Sequence, residues 1–101
     1  MHSTDTSTTR ESTICDAMAY IGAHGEALSS AYCVKAWRGE VDIQADRSDA
    51  EHLIETLGVY LVPDMDFTRE GRRFVEYIAH AGEGYPSDLY VKLTLVEQVS
   101  A

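Results

Sequence analysis

The sequence predicts a single small α+β domain, and three observations lead to that prediction. The chain of 101 residues has room for one hydrophobic core, and 45% of its residues are hydrophobic, which is typical of a globular protein. Some segments alternate apolar and polar residues, as strands do, whereas others repeat apolar residues every three or four positions, as helices do. They follow one another in the order α-β-β-α-β-α-β, which favours a mixed or antiparallel sheet with helices packed mainly on one face.

The first eleven residues are predicted to form a disordered Ser/Thr-rich tail. Residues 1–11 contain no large apolar side chain after Met1, so they cannot bury enough surface to offset the entropy lost on ordering. The single acidic α+β domain is therefore expected to span residues 12–101.

A helix is predicted directly after this tail. Ser12 or Thr13 can cap its start with a side-chain oxygen, and Gly22 and Gly25 end it. Its apolar face is expected to consist of the residues at helical spacing, which are Ile14, Ala17, Met18 and Ile21.

Two strands joined by a tight turn follow. Residues 31–37 alternate between two faces, and Arg38-Gly39 supplies the turn. In residues 40–46 three apolar side chains alternate with polar ones, so the second strand has one apolar face and one acidic face.

A short helix and a short strand come next. Ser48 and Glu51 have the spacing of a capping box, and Gly58 supplies the left-handed residue that ends the helix. Residues 59–62 are predicted to form a strand that stops at Pro63, which has no amide hydrogen to donate.

The last two predicted elements are a longer helix and a strand. The helix begins at Asp66 or Thr68, ends at Gly82 and Gly84, and carries Phe67, Phe74, Tyr77, Ile78 and Ala81 at helical spacing. The strand has a clean buried face formed by Leu89, Val91, Leu93 and Leu95.

Two segments of the chain resemble each other at a constant offset of 57 residues. Tyr20-Ile21 matches Tyr77-Ile78, and Val34-Lys35 matches Val91-Lys92. Either an old duplication or two independent solutions of the same helix-to-strand turn explains this similarity.

No complete catalytic motif is present, and the protein is predicted not to be an enzyme. His24 and His80 are expected to cap helix ends, because no candidate nucleophile or phosphate-binding loop accompanies them. Cys15 and Cys33 lie on segments with apolar periodicity and are expected to be buried thiols that form no disulfide.

No metal or cofactor is expected either. Glu51, His52 and Glu55 lie within one helical turn, a spacing that can hold a metal, but the buried face of that helix leaves them in solvent. A basic cluster of Arg69, Arg72 and Arg73 is interleaved with glutamates, which favours a solvated face over a nucleic-acid site.

Acidic charge is the strongest functional signal. The net charge is −9, and residues 40–70 contain nine acidic residues against two basic ones, Arg47 and Arg69. Such a field repels nucleic acid and anionic membranes and attracts basic protein surfaces. The predicted partner-binding residues are Glu40, Asp42, Asp46, Asp49, Glu55, Asp64 and Asp66.

These observations predict a small non-enzymatic inhibitor or modulator that occupies a basic, often nucleic-acid-binding, surface of a target protein. Phages and mobile elements encode proteins of this size and charge, including anti-CRISPR proteins and nucleic-acid mimics, and the similarity is one of size and charge only. The alternatives are a homodimeric structural or chaperone-like subunit that pairs through an exposed strand edge, or a toxin-immunity protein. No signal peptide or long apolar run is visible, so the cytoplasm of a bacterial host cell is the expected location.

Overall fold

Five strands form one mixed sheet in the computed structural model, which describes residues 11–99. They are β1 (Cys33–Trp37), β2 (Glu40–Asp46), β3 (Tyr60–Arg69), β4 (Arg72–His80) and β5 (Tyr90–Gln98). Across the sheet their order is β1-β2-β5-β4-β3, in which β2 and β5 are parallel and the other pairs are antiparallel. The last strand of the chain therefore lies between two earlier ones and forms the centre of the sheet.

The helices pack on one face of this sheet. They are α1 (Ile14–Ala23), α2 (Gly25–Leu28) and α3 (Ala50–Leu57), and a 3₁₀ turn (Arg47–Asp49) precedes α3. The hydrophobic core lies between the two layers and includes Ala17, Tyr20, Leu53, Val41, Ile43, Ala45, Val91, Leu93 and Leu95. The predicted α+β domain with a mixed sheet and helices on one face is confirmed.

The first hairpin and the last strand match the sequence pattern. Arg38 and Gly39 join β1 to β2, and Gly39 has a φ of 88°, which a residue without a Cβ adopts at little cost. Alternate residues of β2 and all four apolar residues predicted for the last strand are buried. These strands can be predicted from the sequence because one of their faces is apolar and buried and the other is mostly polar, so that the two kinds of residue alternate.

The long helix predicted between Asp66 and Ala81 is wrong, because this segment forms an antiparallel β-hairpin. β3 continues to Arg69, and β4 begins at Arg72 after a two-residue turn. Glu70 and Gly71 in that turn have φ values of 53° and 78°, the left-handed conformation that tight hairpin turns require. The element order of the described residues is therefore α-α-β-β-α-β-β-β.

The predicted end of a strand at Pro63 is also wrong. β3 runs through Pro63, and its register against β4 shifts between Leu61 and Asp66. An edge strand tolerates proline because one side of its backbone needs no sheet partner. Asp64, with a φ of 68°, lies within the irregular stretch.

Capping differs from the prediction at one helix and agrees at another. Thr13 caps α1 in a reciprocal pair with Asp16. The capping box expected at Ser48 is absent from α3, and the carboxylate of Asp46 instead accepts a hydrogen bond from the Ser48 amide, capping the 3₁₀ turn. Gly58 ends α3 in the left-handed conformation, as predicted.

The apolar face of α1 is rotated relative to the prediction. Ala17 and Tyr20 are the buried residues of this helix, whereas Ile14 and Met18 are 51% and 58% exposed. The predicted face contains Ala17 but not Tyr20, which the structure shows to be buried.

The internal similarity joins two strands at Val34-Lys35 and Val91-Lys92 but unlike structures at its other end. Tyr20-Ile21 lies in α1 and its match, Tyr77-Ile78, lies in β4. Since a duplicated unit would keep its secondary structure, convergence of two turns is the better interpretation. The predicted tail falls, apart from Glu11, outside the described residues.

Candidate interaction surfaces

The sheet face opposite the helices is the first candidate surface, and we call it the open face. The strand registers assign it side chains from all five strands. They are Cys33, Lys35 and Trp37 of β1; Glu40, Asp42, Gln44 and Asp46 of β2; Tyr90, Lys92, Thr94, Val96 and Gln98 of β5; Arg72, Phe74, Glu76, Ile78 and His80 of β4; and Tyr60, Phe67 and Arg69 of β3.

Charge is balanced on the open face. It holds four basic residues (Lys35, Arg69, Arg72 and Lys92) and four acidic ones (Glu40, Asp42, Asp46 and Glu76). Asp42 lies in register between Lys35 and Lys92. The face is therefore neutral in a protein of net charge −9.

Large aromatic side chains are exposed on the open face. Tyr60 and Trp37 are 62% and 52% exposed, and Phe67 and Tyr90 are 43% and 41% exposed. Phe67 stacks on Phe74 with 5.2 Å between ring centroids. Exposed tyrosine, tryptophan and phenylalanine are enriched at protein interfaces relative to other surfaces.

A cavity of about 400 Å³ opens at the end of this face where β2, β5 and β4 lie side by side. Phe74 and Val96 contribute its apolar surface, and Gln44 and Gln98 contribute amides. Asp46, Tyr32 and Arg72 complete the lining, so the cavity presents both signs of charge.

Asp46 is held as a carboxylate in this cavity. Its Oδ1 accepts a 2.6 Å hydrogen bond from the Tyr32 hydroxyl, and its Oδ2 accepts one of 2.9 Å from the Ser48 amide. Because hydrogen bonds stabilise the ionised form, chiefly the one from Tyr32, they lower the pKa of Asp46 to about 2. The same hydrogen bond raises the pKa of Tyr32.

Arg69 and Arg72 lie directly opposite each other at the tip of the β3–β4 hairpin. Neither forms an ion pair with a carboxylate of residues 11–99. The third member of the predicted basic cluster, Arg73, projects from the other face, where it pairs bidentately with Asp66 and lies 3.6 Å from Glu97. The structure therefore divides the cluster and leaves two guanidinium groups on the open face.

The seven predicted partner-binding carboxylates do not share one surface. Glu40, Asp42 and Asp46 lie together on β2 of the open face. Asp49 accepts a hydrogen bond from Ser30 in the helical layer, and Glu55 is exposed on α3. Asp64 and Asp66 lie on β3 at the edge of the sheet. The hydrogen bonds from Arg73 lower the pKa of Asp66.

The rest of the protein carries the whole acidic excess. Of the charged residues in positions 11–99, twelve acidic and three basic ones lie off the open face, and we call this surface the acidic exterior. Its acidic residues are Glu11, Asp16, Glu26, Asp49, Glu51, Glu55, Asp64, Asp66, Glu70, Glu83, Asp88 and Glu97. Only Arg38, Arg47 and Arg73 oppose them within this part of the chain.

A compact part of the acidic exterior lies on the helical layer. Glu51 and Glu55 are exposed one turn apart on α3, and Asp49 immediately precedes this helix. Glu26 is exposed on α2, which contacts α3. We refer to these four residues as the helical acidic patch.

Two histidines, His24 and His80, form structural contacts. Nδ1 of His24 donates to the Tyr20 carbonyl at the end of α1 over 2.9 Å, which confirms the predicted helix cap. His80 ends a strand instead of the predicted helix, and its Nδ1 lies 3.2 Å from the Ser87 carbonyl.

The cysteines differ from the expectation of buried thiols. Cys15 is exposed and Cys33 is half-buried, and both are free. Within residues 11–99, no three His, Cys, Asp or Glu side chains are grouped as metal ligands would be. None of the helices in this range has the length and apolarity needed to span a membrane.

Sequence reasoning missed the open face as a surface. Tyr60 belongs to the predicted short apolar strand of residues 59–62, and Phe67 belongs to the predicted helix. Two sequence signals were available: Gly71 interrupts the supposed helix, and residues 74–78 are rich in aromatic and β-branched side chains. With the helices on its opposite side, this face belongs to a two-layer α+β domain. No family model, curated protein or solved structure matches the chain.

Proposed function

We propose that the protein is a non-enzymatic binding protein that attaches to a basic surface of another protein. The observation that carries this proposal is the distribution of charge: twelve acidic residues and three basic residues occupy the acidic exterior. One of those three, Arg73, is already paired with Asp66. A surface of nearly one sign attracts a partner of the opposite sign and accelerates its association.

The helical acidic patch is the proposed contact area. Glu51 and Glu55 are exposed, and no hydrogen bond or ion pair with another described residue occupies them. Their carboxylates are thus free to pair with lysine and arginine. A target surface that binds nucleic acid has this chemistry, so the protein would act there as an inhibitor or modulator that competes with phosphate groups.

Two pairs of charge reversals test the proposal. The variant Glu51→Lys/Glu55→Lys alters the helical acidic patch. The control Glu70→Lys/Glu83→Lys makes the same change in net charge at two exposed turns on either side of β4. Both should fold, which circular dichroism will show, because all four side chains are exposed.

The readout is capture of proteins from nuclease-treated lysate of the source cell by immobilised wild type and both variants. We expect a basic protein to be retained by wild type and control, to elute as salt is raised, and to be lost by the patch variant. Equal retention by all three proteins would show that the patch is not the contact area. Retention that salt does not weaken would contradict an electrostatic mode of binding.

A further inference from the structure

Two copies of this chain repel each other over most of their surface, and the open face is the exception. Each copy has a net charge of −9, and the acidic exterior carries all of it. The open face is neutral, with four residues of each sign. Like-charged molecules can approach closely only where the local charge is balanced, so self-association is electrostatically permitted through this face.

The same face has the apolar content that association requires. Trp37, Tyr60, Phe67 and Tyr90 are all at least 41% exposed. Each of these side chains exposes apolar surface to water in the monomer. Half-buried Phe74 and Ile78 lie among them. Aromatic anchors of this kind supply most of the binding energy at protein interfaces.

The size of the open face is close to what a stable dimer needs. Strands spaced by about 4.8 Å, with a rise of about 3.3 Å per residue, give a five-strand sheet of this length a flat area on the order of 600 Å². The relief of the side chains adds to this value. A standard stable interface buries about 800 Å² on each partner.

Pairing through a strand edge is less favourable than pairing through the face. One edge strand, β3, contains Pro63 and the left-handed Asp64, and its register against β4 is broken there. The other, β1, has only five residues. Proline, irregularity and short length are features that block edge-to-edge pairing of sheets.

We propose that two copies of this chain pack with their open faces together. A two-fold axis that runs along β5 places β2 of each copy over β4 of the other, because β2 and β4 are the neighbours of β5. The strand registers then place Glu40 over His80 and Asp46 over Phe74 of the other copy, so that Asp46 lies two strand residues from Arg72. The two-fold axis repeats each of these contacts, and the two faces that meet are both neutral.

Complementary charge reversals test this arrangement. Arg69→Glu/Arg72→Glu changes the net charge of the open face from zero to −4, and Glu40→Lys/Glu76→Lys changes it to +4, since each reversal moves the charge by two. Glu51→Lys/Glu55→Lys on α3 is the control, because it lies in the helical layer. Sedimentation velocity and light scattering of the full chain report its oligomeric state.

We expect wild type and control to form a dimer, and each open-face variant alone to associate at least about 100-fold more weakly. An equimolar mixture of the two open-face variants should form a heterodimer, which a folding defect cannot explain. A wild type that stays monomeric up to roughly 100 μM, a concentration at which interfaces of this size are populated, would overturn the proposal. Unchanged dimerisation of both variants would also overturn it. The control variant alters the helical acidic patch and leaves the open face unchanged. A failure of one proposal can therefore be distinguished from a failure of the other.

Discussion

The hydroxyl of Tyr32 donates a 2.6 Å hydrogen bond to Oδ1 of Asp46, which joins the segment before β1 to the end of β2. The second oxygen of the same carboxylate accepts the Ser48 amide at the start of the 3₁₀ turn. One ionised group thus fixes the first hairpin and the chain leading to α3. This role requires the carboxylate form, because a protonated acid cannot accept equally at both oxygens.

Asp46→Asn is expected to destabilise the protein at neutral pH. It should also make the free energy of unfolding less dependent on pH in the acidic range. Since the folded pKa of Asp46 is lowered to about 2, its contribution is fully present above the unfolded pKa of about 3.9 and is lost as the pH falls toward 2. Urea denaturation at several pH values between about 2 and 7 measures this. Asp42→Asn, on the same face of the same strand, is the control. If both variants follow the same pH profile, the Tyr32 hydrogen bond does not matter for stability.

Alkaline stability is expected to depend on Tyr20. Burial, followed by the proximity of Tyr85, raises the pKa of Tyr20 to about 12. Its contribution is fully present below the unfolded pKa of about 10 and is lost as the pH rises through 12, a total of roughly 2–3 kcal/mol. Tyr20→Phe, which cannot ionise, should keep its stability across this range. Near-ultraviolet circular dichroism during denaturation follows it, and Tyr60→Phe, at an exposed site, should behave like wild type.

The strands that the sequence predicts correctly have one face exposed to solvent and one face buried against the helices. In β2 and in β5 as far as Leu95, apolar side chains on the helix side alternate with mostly polar ones on the open face, so their period of two is visible. In β4 both faces are partly apolar: Val75 and Ala79 are buried on the helix side, while Phe74 and Ile78 are half-buried on the open face. Phe74, Tyr77, Ile78 and Ala81 then satisfy a helical period by coincidence.

The candidate surfaces depend on long-range pairing that the sequence does not display. Parallel pairing of β2 with β5 brings Asp42 beside Lys92, fifty positions later in the chain. That pairing neutralises part of the acidic strand. Packing of α3 on the opposite face of the sheet separates Glu55 from Glu40 and Asp42. Local composition indicates how much negative charge is present, but the order of the strands decides which surface carries it.

Two alanine substitutions at glycines should have opposite effects on stability. Gly22 lies inside α1 with open space where a Cβ would be, so Gly22→Ala should stabilise the protein by about 0.5–1 kcal/mol. Gly58 ends α3 with a φ of 66°, so Gly58→Ala should destabilise it by about 1–2 kcal/mol. Thermal and urea denaturation measure both. Equal effects would mean that the left-handed end of α3 is not formed in solution.

The start of α1 allows the capping residue to be identified by experiment. The Thr13 hydroxyl accepts the Asp16 amide at 3.3 Å, and the Asp16 carboxylate accepts the Thr13 amide at 2.7 Å. Ser12 is only 2% exposed, and its hydroxyl oxygen has no hydrogen-bond partner in the described part of the chain. Its backbone amide, which donates to the Asp88 carboxylate, does not depend on the side chain.

Thr13→Ala should therefore reduce the free energy of unfolding by about 1 kcal/mol, the usual value of a helix cap. Ser12→Ala removes a buried hydroxyl that has lost its hydration without gaining a partner, so it should leave stability unchanged or raise it by up to about 1 kcal/mol. Urea denaturation of the two variants side by side gives the comparison. A larger loss from Ser12→Ala than from Thr13→Ala would show that the neighbouring serine is the cap, and that α1 begins one residue earlier.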